Sequence, residues 1–185
     1  MSNIPNILSL LRIALIPVLI VVFLLPYKSA PAWATAIFVV AAITDWLDGY
    51  LARKWDQASA FGAFIDPVAD KLIVAVALVL ILFKTNEWYI LLPVVIIIGR
   101  EITVSALREW MAEIGNRTSV AVSYVGKFKT TMQMISIIIL LTQTSVVDSR
   151  IEILGFVSLY LAAALTLWSM IIYLKAAWPD FKGSM

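Results

Sequence analysis

The chain has no cysteine and no histidine. Without cysteine, disulfides, thiolate metal sites and cysteine nucleophiles are excluded. Without histidine, the usual general base and the usual zinc ligand are missing, so any acid–base chemistry falls to carboxylates. Charge is scarce as well: only 14% of the 185 residues are Asp, Glu, Lys or Arg, and the net charge is +2. The basic residues are scattered over apolar segments, which leaves nucleic-acid binding without support. No Gly/Ser-rich or charged linker, repeat or low-complexity tract divides the chain, so residues 1–185 read as a single domain.

What is abundant is hydrocarbon. Hydrophobic residues make up 62% of the sequence and the mean hydropathy is +0.96, values that belong in a bilayer. Apolar runs of about the length a bilayer requires cover residues 7–27, 32–53, from 61–66 to 83, 88–110, 128–144 and 151–174. They predict an all-α integral membrane protein of six transmembrane helices. The start, Met1-Ser-Asn-Ile-Pro-Asn6, lacks the basic residues and cleavage site of a signal peptide and is expected to remain in the mature protein. Arg12 lies near enough to the end of the first run to snorkel to the surface. Arg53, Lys54, Arg117, Lys127, Lys175 and Lys182 fall on the side that holds the N-terminus, against Lys28, Lys84 and Arg150 opposite. The excess of positive charge predicts that both termini face the cytoplasm.

Four acids sit where such a chain should least want them. Asp45 and Asp48 are three residues apart near the end of the second run, and Asp66 and Asp70 are four apart near the start of the third. Each pair therefore projects from one helix face. The polar connection between the two runs is short, which makes the helices antiparallel neighbours and sets both pairs at one membrane level. Gly49, Ala52 and Gly62 extend the two stripes with small residues that permit close approach. Converging carboxylates repel unless a cation lies among them. Oxygen donors without His or Cys select Mg²⁺ or Mn²⁺, and four carboxylates suffice for two ions. A plainer account makes Asp66-Pro67 a helix N-cap with proline at the first helical position, and pairs Asp45 with Arg53 or Lys54. Four intramembrane acids at about 2.5–3.5 kcal/mol each favour a function.

A second constellation lies on the fourth run. Arg100, Val104 and Arg108 recur every four residues, so both guanidinium groups share a face, with Glu101 one step around it. They either form structural ion pairs with the four acids or, with Arg117, Lys127 and Lys129, supply surplus positive charge for an anionic ligand.

The stretch Asp45-x2-Asp48-Gly49-x2-Ala52-Arg53-x8-Gly62-x3-Asp66-x3-Asp70 resembles, at every position, the signature of the CDP-alcohol phosphatidyltransferases. These are integral membrane enzymes of phospholipid synthesis. The likeness continues through Arg100-Glu101 to Trp110 and through Gly126-Lys127-Phe128-Lys129-Thr130, where it is to the branch that uses glycerol 3-phosphate. The resemblance implies transfer of a phosphatidyl group from CDP-diacylglycerol to sn-glycerol 3-phosphate with release of CMP, in the bacterial cytoplasmic membrane. It implies two Mg²⁺ or Mn²⁺ ions on Asp45, Asp48, Asp66 and Asp70, with Asp70, or the Asp66–Asp70 pair, taking the proton of the attacking hydroxyl. Arg53 would contact the diphosphate, and Gly49, Ala52 and Gly62 would leave room for the cytidine and its phosphates. A short N-terminal segment, matched here by Asn3, Pro5 and Asn6, would lie along the cytoplasmic face beside the nucleotide. Arg100, Arg108, Arg117, Lys127 and Lys129 would hold the acceptor phosphate. The family precedent is a homodimer. The rivals are sister enzymes with another acceptor, such as inositol phosphate or serine, and a membrane transporter, since intramembrane acids also mark ion pathways.

Overall fold

A computed structural model of the chain describes residues 4–55, 60–113, 124–143 and 149–183. Among these residues are six α-helices and no strand: α1 (Ile4–Leu24), α2 (Ala30–Trp55), α3 (Ala60–Thr85), α4 (Trp88–Glu113), α5 (Tyr124–Gln143) and α6 (Ser149–Gly183). Each covers most or all of one of the six apolar runs, and several extend beyond theirs, while α1 ends three residues before its run does. α1 begins early enough to place Pro5 in its first turn, where a missing N–H is no loss. α6 continues past its apolar run to Gly183. α3 starts at Ala60, so Asp66 and Pro67 lie inside a helix and the N-cap account of this pair is wrong. Hydroxyls within the helices return their protons to the preceding turn, as Thr35 does to the Pro31 carbonyl at 2.8 Å and Thr85 to that of Ile81 at 2.7 Å. In hydrocarbon no water would satisfy them. Asn86 ends α3 in the left-handed region at φ 52°, a conformation Asn tolerates better than most residues. Its N–H meets the Leu82 carbonyl at 3.0 Å, closing the last turn.

The helices gather into two compact units. The first holds α1, α2 and α3 with the end of α5 and the start of α6. Here α1 packs against both α2 and α3, and among the described residues α2 and α3 touch each other over a smaller area. The buried face of α1 carries Ser9, Arg12, Leu19 and Phe23, spaced three, seven and four residues apart. α2 answers with Ala30, Ala34, Phe38 and Ala41, and α3 with Ala69, Ile73 and Ala77. Small residues at these positions let backbones approach, and close packing is what drives association where the solvent is as apolar as the side chains.

The second unit holds α4, the first part of α5 and most of α6. Leu107 and Met111 of α4 pack with Ala177 of α6. The Ser136 hydroxyl of α5 donates to the Gly155 carbonyl of α6 at 3.0 Å, and the Tyr160 hydroxyl of α6 donates to the Tyr89 carbonyl of α4 at 2.7 Å.

Outside these cores the helices are as apolar as within them. Large side chains such as Phe83, Leu92 and Trp168 are exposed, the arrangement expected of a surface solvated by lipid. Among the described residues three helices are long and apolar enough to cross a membrane, over Asn6–Leu24, Trp88–Glu113 and Arg150–Lys175, and two shorter apolar helical stretches cover Ala30–Asp45 and Phe128–Thr142. α3 carries Asp66, Asp70 and Lys71 near one end and Lys84 near the other.

Candidate active site

In the first unit Asp45, Asp66 and Asp70 meet α1. Arg12 Nη1 donates to Asp45 Oδ1 of α2 at 2.8 Å, and the same nitrogen contacts Asp70 Oδ1 of α3. One turn earlier on α1, the Ser9 hydroxyl donates to Asp66 Oδ1. The Arg12 side chain is 0% exposed, whereas those of Asp45 and Asp70 are 47% and 42% exposed. The buried guanidinium thus pairs with two half-exposed acids. This corrects one expectation: Arg12 does not snorkel to the surface. Asp45 takes Arg12 as an ion-pair partner; the side chain of Arg53, which the sequence offered as a partner together with Lys54, lies outside the described residues. A buried guanidinium is costly unless hydrogen-bonded carboxylates compensate it, and the two helices that flank α1 supply them.

Asp48, Gly49, Ala52 and Arg53 continue α2 for two further turns, but their side chains lie outside the described residues, as does that of Pro5; Asn3 lies outside them altogether. Asn6 and Gly62 are buried in the first unit. Among the described residues no three carboxylates form a ready-made metal set. The fit to a hard divalent ion rests on donor chemistry and on one contact: a single nitrogen reaches both Asp45 and Asp70, so oxygens from two helices come within the span of one cation. On those grounds the residues suit Mg²⁺ or Mn²⁺.

The second unit holds the basic constellation. Arg100 Nη1 donates to Glu101 Oε1 at 2.7 Å, and Lys129 Nζ of α5 donates to the same oxygen at 3.2 Å. Arg100 Nη2 reaches the Ser169 hydroxyl of α6 at 3.3 Å. Arg100 and Lys129, predicted from sequence to act together, therefore converge on one carboxylate, and Lys129 is buried. Arg100 Nε is a buried donor with no partner among the described residues, a valence an anion would fill. Arg108 Nε is directed to the Val104 carbonyl of its own helix at 3.4 Å. Arg117 and the side chain of Lys127 lie outside the described residues.

Three residues here were not singled out as site residues by the sequence. Ser9 and Arg12 carry a weak signal, a shared helix face with Leu19 and Phe23. Glu101 was noted as a neighbour, but its role as shared acceptor depends on α5 and leaves no trace in spacing.

The profile of the CDP-alcohol phosphatidyltransferase family matches residues 2–168. The chain belongs to that family. Relatives named CDP-diacylglycerol–glycerol-3-phosphate 3-phosphatidyltransferase include proteins of Yersinia enterocolitica, 56% identical, Pectobacterium atrosepticum, 54% identical, and Salmonella choleraesuis, 53% identical. Each aligns over 178 residues, 96% of this chain and 96% of its own length. Within this CDP-alcohol phosphatidyltransferase, the first and last aspartates of the signature, Asp45 and Asp70, meet at Arg12 of α1, a residue that lies outside the signature.

Proposed function

We propose that the chain transfers a phosphatidyl group from CDP-diacylglycerol to sn-glycerol 3-phosphate, giving phosphatidylglycerophosphate and CMP. The observation that carries this is identity above half over nearly the full length of relatives bearing that activity in their names. In the reaction the acceptor hydroxyl oxygen forms a bond to the lipid-bearing phosphorus. The bond from that phosphorus to the CMP oxygen breaks, and CMP leaves with the electron pair. Asp70, with Asp66 beside it, receives the hydroxyl proton; in a chain without histidine a carboxylate is the available base. Two Mg²⁺ or Mn²⁺ ions, held by Asp45, Asp48, Asp66 and Asp70, would supply neutralisation of the diphosphate and of the departing CMP. Arg53, Gly49, Ala52 and Gly62 would accommodate the CDP moiety, with Asn3 and Pro5 beside it. Arg100, Arg108, Arg117, Lys127 and Lys129 would grip the acceptor phosphate. Support for this last assignment comes from charge matching, because serine brings no phosphate to offset several cations.

Purified protein given CDP-diacylglycerol should release CMP fastest with glycerol 3-phosphate, more slowly with inositol phosphate, and negligibly with serine or glycerol. Faster release with serine or inositol phosphate would overturn the acceptor assignment.

The proposal extends to architecture. Residues 1–185 act as one functional domain with six membrane spans in the bacterial cytoplasmic membrane, both termini and the acids on the cytoplasmic side, and two copies form a homodimer as the family precedent suggests. The natural lack of cysteine makes the orientation simple to examine. Single cysteines at Ser29, Glu87 and Ser59 can be exposed to an impermeant thiol reagent on intact cells, with Glu87 preferred to Asn86 because the left-handed backbone there disfavours cysteine. Ser29→Cys and Glu87→Cys should label and Ser59→Cys should not; the reverse pattern would invert the topology.

A further inference from the structure

Arg12 is the side chain on which Asp45 and Asp70 meet, and nothing in the proposed reaction uses it. We infer that Arg12 is a built-in counter-cation of the carboxylate site, positioning Asp45 and Asp70 and competing with divalent ions for their oxygens. The inference rests on the metal reading given under the proposed function.

Arg12 is fully buried on the face of α1 that packs against α2 and α3, so its charge cannot reach water. Its Nη1 touches Oδ1 of two acids from different helices. A guanidinium keeps its proton under all physiological conditions, so this positive charge is permanent. It has two opposed effects. It offsets the repulsion between acids that the fold forces together, and without it each half-exposed carboxylate would face like charge uncompensated. It also stands beside the oxygens that a divalent ion would use and repels that ion. Ser9 offers the contrast: it orients Asp66 Oδ1 by a hydrogen bond and adds no charge. A purely structural tie between helices predicts that losing Arg12 loosens the acids and weakens metal binding. A counter-cation predicts the opposite sign.

The full-length protein in detergent can be titrated with Mn²⁺, following free Mn²⁺ by electron paramagnetic resonance, with thermal unfolding recorded in EDTA and in Mn²⁺. Arg12→Gln should bind Mn²⁺ roughly tenfold more tightly than the unmodified protein, the direction expected when a nearby positive charge is removed. Its melting temperature should fall in EDTA and recover in Mn²⁺, so that the metal-induced rise exceeds that of the unmodified protein. Arg12→Lys, which keeps the charge, should bind Mn²⁺ within about threefold of the unmodified protein. Ser9→Ala should bind it no more tightly. Unchanged or weaker binding in Arg12→Gln, failure of that variant to fold at any Mn²⁺ concentration, or equal tightening in Ser9→Ala would each overturn the inference. If the unmodified protein binds no Mn²⁺ at all, the metal reading itself falls; if it binds and Arg12→Gln does not differ, only the counter-cation is lost.

Discussion

Asp66→Asn lowers phosphatidyl transfer by at least about 10²–10³-fold while the protein remains inserted and helical. The magnitude is that of removing one preorganised electrostatic stabiliser from a water-poor site. The fold persists because the change is nearly isosteric. The asparagine amide oxygen can still accept the Ser9 hydroxyl hydrogen that Asp66 Oδ1 accepts, so the loss of stability should be near that of weakening one hydrogen bond, about 1 kcal/mol. Asp48→Asn should behave alike on activity. Circular dichroism and the melting temperature report the fold, and CMP release reports the chemistry. EDTA should abolish the reaction of the unmodified protein, and Mg²⁺ or Mn²⁺ should restore it. Full activity in chelator, or Asp66→Asn at near-normal rates, would remove the metal-ligand role.

Arg100→Ala should raise the KM for glycerol 3-phosphate roughly 30-fold or more and leave the KM for CDP-diacylglycerol little changed. A desolvated charge-assisted contact to phosphate is worth about 2–5 kcal/mol on truncation. Arg100 is only 10% exposed at its side chain, which meets the condition of desolvation. kcat should fall too if the phosphate sets the hydroxyl in line for attack. Because Arg100 also bonds Glu101, its removal leaves that carboxylate to Lys129 alone, and general disturbance of the unit must be separated from loss of the phosphate contact. Arg100→Lys does so, for it keeps a positive charge near Glu101 but cannot make two parallel bonds to a phosphate. It should raise the acceptor KM by an intermediate factor. An unchanged acceptor KM in Arg100→Ala would contradict the assignment.

The six helices of the described residues were legible because their signal is local: an apolar run of helical length announces itself without knowledge of its neighbours. The spacing of Asp45 with Asp48, and of Asp66 with Asp70, could likewise be read within single helices. What could not be read is which side of α1 faces protein. In a soluble helix the apolar stripe marks the buried face, but α1 is apolar all round, since lipid and core ask for the same side chains. Arg12 was therefore judged by its distance along the helix, which suggested the surface, when its direction around the helix decided its fate. The N-cap account of Asp66-Pro67 failed for a related reason: proline is a helix breaker in water, yet inside a membrane helix it is tolerated, and α3 runs through Pro67.

The burial of Arg12 bears on how the protein is made. It leaves the ribosome 33 residues ahead of Asp45 and further still ahead of Asp70. At about 5–20 residues per second, the first partner arrives some seconds later. During that interval α1 must carry a guanidinium that no acid yet balances, at about 2.5–3.5 kcal/mol on insertion scales. α1 is suited to bear it, for its span has a mean hydropathy of 2.8 against 2.0 and 1.9 for the spans of α4 and α6. α1, made before α2 and α3, is thus apolar enough to enter the bilayer with an unmatched charge, and its neutralisation waits on the translation of the two helices that carry the acids.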